Sequence, residues 1–397
     1  MNATIKTYPS GSGDCIFFQL EEDAKRYAIM IDCGKYTPEI KAHVENDLEK
    51  HINLLIATHI DNDHIDGLVE MFEQTPDVHI DRIFYNCNQN WNGSSQSSEI
   101  INQDITALRR LLPSRAVKDS GKIKADKAVT LAEKIAEKDE WWQAWDKEYI
   151  TTETEPIILD ENKDRYGKLT ILSPSPDDIK KLNLKFKVEY SRLTKHILEN
   201  GGSVEGKEKL YELVERVATM KRENYEPYEA HKTGAISNLI EETLLKEAYD
   251  FRPEGVTDEN GASIALMWEY GDKKVLFMGD AEPKYVATRI NDVYGDKQLF
   301  LESIKVSHHG SKHSTSHDLM MRVDSDHYFF TGGNLKDKPS LEAIMKIVKR
   351  ANNRVRILHF NNTDNNYVKA LSSEQGKTYC EKYCFVVDDT NEHQFEY

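Results

Sequence analysis

Between Thr58 and Gly67 the chain reads THIDNDHIDG, which places His59, Asp61, Asp63 and His64 within six residues. Imidazole and carboxylate are the side chains that hold zinc, manganese and iron. The competing reading is a solvated turn, because Asp and Asn favour turns after strands. The surrounding sequence bears on the choice. This segment follows the apolar run NLLIAT, and three other apolar runs end in the same manner. YAIMI is followed by Asp32, KVLFM by Gly279 and Asp280, and IKVS by His308 and His309. A turn explains any one of these ends. Four together point to one site, since ligands of α/β sheets bind beyond the carboxyl ends of strands.

The elements that must carry these residues follow from the same runs. CIFFQL, YAIMIDCG, NLLIAT and RIFYNCN read as strands near the start. ASIALMWEY, KKVLFMGD, SIKVSHH, HYFFTGG and RVRILHF read as strands later, with PSLEAIMKIVKR a helix between the last two. Short apolar runs bounded by charged or turn residues are the strand signal. From Asn92 to Asp250 the texture changes to densely charged segments with helical spacing, such as EIINQDITALRRLL and VEGKEKLYELVERVATMKREN. The expected organisation is one α/β domain made from both ends of the chain. Residues 1–91 supply its first half and 251–397 its second, with a mainly helical insertion over 92–250 that includes a core strand near 168–173. Trp141, Trp142 and Trp145 are expected to anchor the packing of that insertion.

THIDNDHIDG resembles the H-x-H-x-D-H metal signature of the metallo-β-lactamase superfamily, with Asp61 in place of the second histidine. IDCG, MGDA and KVSHHGS resemble its other metal-site segments. The likeness is closest to the branch that contains the hydrolase domain of ComEC-type DNA-uptake proteins. SGSGDCIFF resembles the early G-x-G-D strand of that branch, NGASIALMWEYGDKKVLFMGDAE its hairpin before the bridging Asp, and TGGNLKDKPSLEAIMKIV its closing segment. The likeness covers residues 3–87 and 257–365.

This resemblance implies an αββα sandwich with two divalent metal ions, zinc or manganese. His59 and Asp61 would bind the first ion, Asp63 and His64 the second, and Asp280 both. One of His308 and His309 would complete the second site; strand-end position favours His308, and His309 stays open. Asp32 would lie beneath the ions and orient their ligands. Catalytic work would fall to Asp63 and Asp280, while Asp66 reads either as a proton carrier or as the cap of the turn before Gly67. Asp61 in place of imidazole hardens the first site and shifts it towards manganese. Most superfamily members bring a third histidine to the first ion from a central strand. Here KLTILSPSP offers Ser173 at that point, and His231 is the alternative. Ser311, Ser314, Thr315 and Ser316 read as phosphate-holding hydroxyls or as ordinary helix caps.

Composition narrows the function classes. The chain has 397 residues and a net charge of −16, from 52 Lys and Arg against 68 Asp and Glu. That weighs against holding nucleic acid by phosphate neutralisation alone, although bound metal ions supply local positive charge. No apolar run is long enough to cross a membrane as a helix. The N-terminus lacks a basic segment with an apolar run, and the five cysteines are odd in number and scattered, so a cytoplasmic protein is expected. The expected function is hydrolysis of a phosphodiester, DNA or RNA, by a metal-activated hydroxide, in the manner of a bacterial defence nuclease. The alternatives are a hydrolase of small phosphoesters or nucleotides, and a metal-binding regulatory protein. A regulatory protein partner would be met by the helical insertion.

Overall fold

The computed structural model describes residues 2–86, 131–160, 165–182, 258–332, 338–350, 354–361, 364–388 and 390–397. Cys87, His231 and the expected insertion helices over 92–130 and 183–250 lie outside the described residues.

The first half of the chain forms β1 (Asn2–Thr7), β2 (Ile16–Glu22), β3 (Lys25–Ile31), β4 (His51–Ala57) and β5 (His79–Tyr85). The second sheet draws on β6 (Ile157–Ile158), β7 (Lys168–Ser173), β8 (Ala265–Tyr270) and β9 (Lys273–Phe277). A short separate ribbon pairs β10 (Leu299–Leu301) with β12 (Val323–Ser325). The second sheet then continues with β11 (Ser303–Lys305), β13 (His327–Phe330), β14 (Arg356–Phe360) and β15 (Phe385–Asp388). The last strand, β16 (Glu392–Glu396), returns to the first sheet. Strand order is β16-β1-β2-β3-β4-β5 in one sheet and β15-β14-β13-β11-β9-β8-β7-β6 in the other.

Both sheets are apolar on both faces, and the period of two sorts the side chains. Ile29 and Ile31 of β3, and Leu54 and Ile56 of β4, face Leu266, Trp268, Val275 and Phe277 in the layer between the sheets. Their neighbours Met30 and Leu55 point outwards, onto Leu68 and Phe72 of the helix α2 defined below. On the far side Met267 and Leu276 meet a second helical layer through Val286, Ile290 and Ile344. The fold is therefore the expected αββα sandwich. Its helices are α1 (Pro38–Ala42), α2 (Asn62–Gln74), α3 (Leu131–Ala136) and α4 (Asp139–Ala144) on the first sheet. On the second lie α5 (Pro283–Tyr294), α6 (His317–Arg322), α7 (Leu341–Val348) and α8 (Asn366–Ser372). Among the described residues no helix is long and apolar enough to cross a membrane.

Residues 131–182 are built into this sandwich wherever they are described. Trp141 and Trp145 are buried in the layer outside the first sheet, and their indole N–H groups donate to the carbonyls of Val78 (3.0 Å) and Tyr85 (3.1 Å). The tryptophans thus anchor their segment to β5 and not to an independent subdomain. β7 pairs antiparallel with β8 inside the second sheet.

Three histidines meet where β16 crosses the second sheet. His327 stacks on His393 with ring centroids 3.5 Å apart, and on His359 at 5.3 Å. Burial lowers all three, His359 to about 4 and His393 to about 3, from an ordinary value of 6.5. The unfolded chain therefore takes up protons first. Stability present above pH 6.5 falls as the pH drops below that value, and the loss levels off near 4 to 3. In denaturant titrations between about pH 7 and pH 4, His393→Gln should lose stability less steeply than wild type. Equal slopes would show that the stacked imidazoles are not the acid-sensitive element.

Candidate metal centre

β3 and β4 run parallel, as do β9 and β11, so their carboxyl ends open on common sides. Asp32 follows β3, and Thr58 and His59 follow β4. Gly279 and Asp280 follow β9, and a tight turn holding His308 and His309 follows β11. Asp61 is the N-cap position of α2, which carries Asp63 and His64 in its first turn. The start of α2 is pressed onto two loops. A Cβ on Gly13 would lie 1.5 Å from the Asp63 carbonyl oxygen, and one on Gly34 would lie 2.4 Å from it. Only glycine permits that approach. It is sealed by hydrogen bonds from Asp14 N to Asp63 O (3.2 Å) and from Cys33 N to His64 O (2.7 Å).

Asp280 is the hub. Its Oδ1 lies 3.5 Å from His64 Nε2. Its Oδ2 lies 3.9 Å from His59 Nε2, 3.7 Å from His308 Nε2 and 3.8 Å from His309 Nε2. His59 Nε2 is also 3.7 Å from Asp61 Oδ2, and His309 Nε2 is 3.1 Å from Asp63 Oδ2. Ligand atoms about 2.1 Å from a tetrahedral metal stand roughly 3.4 Å from one another. The observed spacings bracket that value. His59 Nε2, His64 Nε2, Asp61 Oδ1 and Asp280 Oδ1 are buried and make no hydrogen bond. Buried polar atoms are seldom left so, and the two imidazole nitrogens converge on Asp280. The donor set fits a divalent metal.

The imidazoles are aimed from behind. Asp32, with φ 57°, accepts Thr58 N and Thr58 Oγ1, both at 2.7 Å, and faces His64 Nδ1 at 2.8 Å. That contact turns His64 Nε2 towards Asp280. Asp14 acts likewise on His309, whose Nδ1 lies 2.9 Å from Asp14 Oδ1. The other Asp14 oxygen pairs with the ammonium of Lys305, which is 2 % exposed and donates to Gly279 O at 2.9 Å. Asp14, His64, Asp280 and His309 together bring four ligand-type atoms within 4.8 Å of one another. Because both oxygens of Asp14 are engaged by His309 and Lys305, its place is behind the imidazole, like that of Asp32.

Charge in this space is strongly coupled. Burial alone would raise the Asp280 carboxyl, but His64, His308 and His309 hold it well below the usual carboxylate range. Burial alone would lower His64, yet Asp280, Asp32 and Asp63 raise it well above 6.5. Lys305 is raised against burial by Asp14 and Asp280. His309 is likewise raised against burial by Asp280 and Asp14, whereas burial lowers His308 to about 3. Carboxylates that draw protons onto His64 and His309 also attract cations.

The structure thus brings together His59, Asp61, Asp63, His64, Asp280, His308 and His309, with Asp32 beneath. His309 meets Asp63, whereas His308 stands on the more exposed side, 36 % accessible. Asp66 lies half-buried further along α2. Ser316 caps α6 by accepting Leu319 N, and Ser314 donates to Ser311 O, so both hydroxyls serve local turns. Asp14 and Lys305 are site residues that sequence reasoning does not single out. Their signals are present: Asp14 ends the G-x-G-D segment, and Lys305 is a cation ending the buried strand β11, two residues before the turn that holds the histidine pair.

No protein-family model matches the chain, and no curated protein matches it. Among solved structures, a mutant of CmlA beta-hydroxylase superposes with a TM-score of 0.36 and 9% identity, covering 99% of this chain and 54% of that one. The chain therefore spans about half the length of that protein. Zinc-bound PqqB from Methylobacterium extorquens superposes with a TM-score of 0.37 and 9% identity, over 100% of both chains. Both superpositions are loose, and the sandwich is read from its own sheets and layers.

Asp32→Asn separates orientation from ligation, because Asn tolerates positive φ and keeps one acceptor for Thr58. Metal affinity measured by competition with a chromophoric chelator should fall by about 10–100-fold, with circular dichroism unchanged. Wild-type affinity in the variant would show that the Asp32 charge does not support His64.

Proposed function

We propose that the chain is a metal-dependent hydrolase of the metallo-β-lactamase superfamily that cleaves phosphodiesters, with nuclease action as the specific reading. The observation that carries it is the double exposure of Asp280: one oxygen faces His64, and the other faces His59, His308 and His309. One ion would be held by His59, Asp61 and Asp280, with His308 completing that side where a third histidine is otherwise lacking. The other would be held by Asp63, His64, His309 and Asp280. Two such ions, when bound, lower the pKa of water and offset charge on attacking and leaving oxygens.

The protein's own part is positioning. Asp32 and Asp14 fix the tautomers of His64 and His309, so that each presents Nε2. Asp61, Asp63 and His308 form the accessible rim, each about a third exposed at 30 %, 30 % and 36 %. A substrate phosphate would therefore enter over the first turn of α2. Asp66, further along the helix, or water is the group proposed to move protons.

The phosphodiester reading is supported by the ComEC-like motifs, which also suggest DNA or RNA and a defence-type setting in the cytoplasm. The acidic surface, with a net charge of −16, favours the second reading, a hydrolase of small phosphoesters or nucleotides. A regulatory protein with a structural metal is the third reading. A protein partner acting through residues 92–250 is part of the proposal.

Asp280→Ala tests the hub. Elemental analysis should find at least two divalent ions per wild-type chain and a deficit in the variant. Hydrolysis of bis-p-nitrophenyl phosphate and of DNA, RNA and nucleotide substrates should fall more than about 100-fold, beyond the cost of losing an outer partner. Retention of wild-type activity in a folded variant would refute the shared-ligand reading. Activity confined to nucleotides would select the second reading.

Asp61→His tests the metal preference. Wild type should turn over faster with manganese than with zinc at equal occupancy, and the variant should tilt back towards zinc, because imidazole suits the softer ion. The same metal ranking in both proteins would show that Asp61 does not set the preference.

A further inference from the structure

At the opposite end of the first sheet, His51 and His79 are the first residues of β4 and β5 and sit side by side in the parallel register. Asp81, two residues along β5, lies between them. His51 Nε2 and His79 Nε2 both approach the same oxygen, Asp81 Oδ1, each at 3.0 Å. We infer that His51, His79 and Asp81 form a second, separate binding site for a divalent transition metal, zinc above all. The strands between this site and the Asp280 centre are seven residues long, which sets the two roughly 20 Å apart. The inference does not rest on the hydrolase reading.

Proton counting supports it. His79 faces carboxylates with both ring nitrogens, Nδ1 towards Glu140 and Nε2 towards Asp81. A neutral imidazole has one N–H and cannot donate to both. His51 directs another nitrogen at the same Asp81 oxygen. A second proton on His79 would satisfy both carboxylates, and a cation among the two Nε2 atoms and Asp81 Oδ1 would take that proton's place, because each Nε2 then offers a lone pair.

The outer contacts are those of a metal site. Glu140 of α4 holds His79 by Nδ1, and Asn53 Nδ2 donates to Asp81 Oδ2 at 2.7 Å. Histidine ligands commonly give their second nitrogen to a carboxylate, and ligating carboxylates are themselves hydrogen-bonded. Two imidazoles and one carboxylate suit zinc, and three protein ligands leave a position open to water. The side chains are 46 %, 55 % and 42 % exposed, and His51 and Asn53 also line a cleft of about 600 Å³, so an ion can reach the site from solvent. Through Glu140 the ion would tie β4 and β5 to α4.

The test uses the full chain with zinc alone as the probe, in equilibrium dialysis with elemental analysis and in thermal shift. A His51→Asn, His79→Asn double variant should bind one zinc fewer than wild type and keep the ions of the Asp280 centre. Asp280→Ala should retain a zinc-dependent rise in Tm, and adding the two Asn substitutions should abolish it. Asp81→Asn, which keeps both imidazoles, should weaken this zinc by at least about tenfold. Equal zinc stoichiometry in wild type and the double variant would overturn the inference, as would a site that fills only at millimolar zinc. Loss of the Asp280-centre ions alone would bear on the hydrolase reading and leave this site standing.

Discussion

The centre is governed by one constraint: more negative charge is gathered in and around a buried core than the protein's own cations offset. Asp14, Asp32, Asp61, Asp63 and Asp280 surround four imidazoles and one buried ammonium, that of Lys305. An unpaired buried carboxylate is expensive, and removing one partner of a buried pair costs several kcal/mol. Asp14 and Asp32 are satisfied by fixed contacts to lysine, threonine and histidine. Asp61 and Asp280 each keep a buried oxygen with no hydrogen bond. Those oxygens and the free Nε2 atoms of His59 and His64 define where positive charge belongs.

Holding that arrangement requires the two sheets to stay in fixed relation. His59, Asp61, Asp63 and His64 come from the first sheet and α2, whereas Asp280, His308 and His309 come from the second. Asp14 stands just before β2 yet pairs with Lys305 and His309 across the sandwich. A slip of either sheet would break that ion pair and turn His309 away from Asp63. The inter-sheet layer of Ile29, Ile31, Leu54, Ile56, Trp268 and Phe277 supplies the resistance. Apolar packing and site geometry are therefore coupled through one buried ion pair.

Much of this was legible in the sequence because strands with both faces covered are nearly continuous apolar runs, and their ends are conspicuous. Asp32, His59, Asp280 and the histidine pair could each be placed at such an end before any coordinates. Choosing between His308 and His309 could not be done that way. Both have positive φ, 49° and 54°, in a turn whose direction the sequence leaves open, and the turn swings His309 inwards to Asp14. Asp14 was hidden because its partners lie almost 300 positions away. Trp141 and Trp145 were recognisable as anchors, but what they anchor to depends on β5, which local spacing does not reveal. Within 92–250 the apolar run KLTILS marked a core strand near 168–173, and Lys168–Ser173 is a strand of the second sheet, beside the edge strand β6, with buried side chains at all positions but its first.

The rim carries the last step of the electrostatic argument. Asp61 and Asp63 stand at the N-terminus of α2, a helix of 13 residues, where the unpaired N–H groups favour negative charge. That effect contributes about 0.3–1 kcal/mol at an exposed position. Two like charges about 4 Å apart repel by about 4 kcal/mol at an effective dielectric of about 20. The helix end therefore cannot balance the carboxylates it carries, and the ammonium of Lys305 is committed to Asp14. Divalent cations between Asp61, Asp63 and Asp280 would do so, and they would leave the helix end facing outwards with its preference for anions partly unspent. A rim that is acidic in its side chains would then receive a phosphate through the ions and the backbone together. Such an arrangement would let a chain of net charge −16 meet an anionic substrate through bound ions.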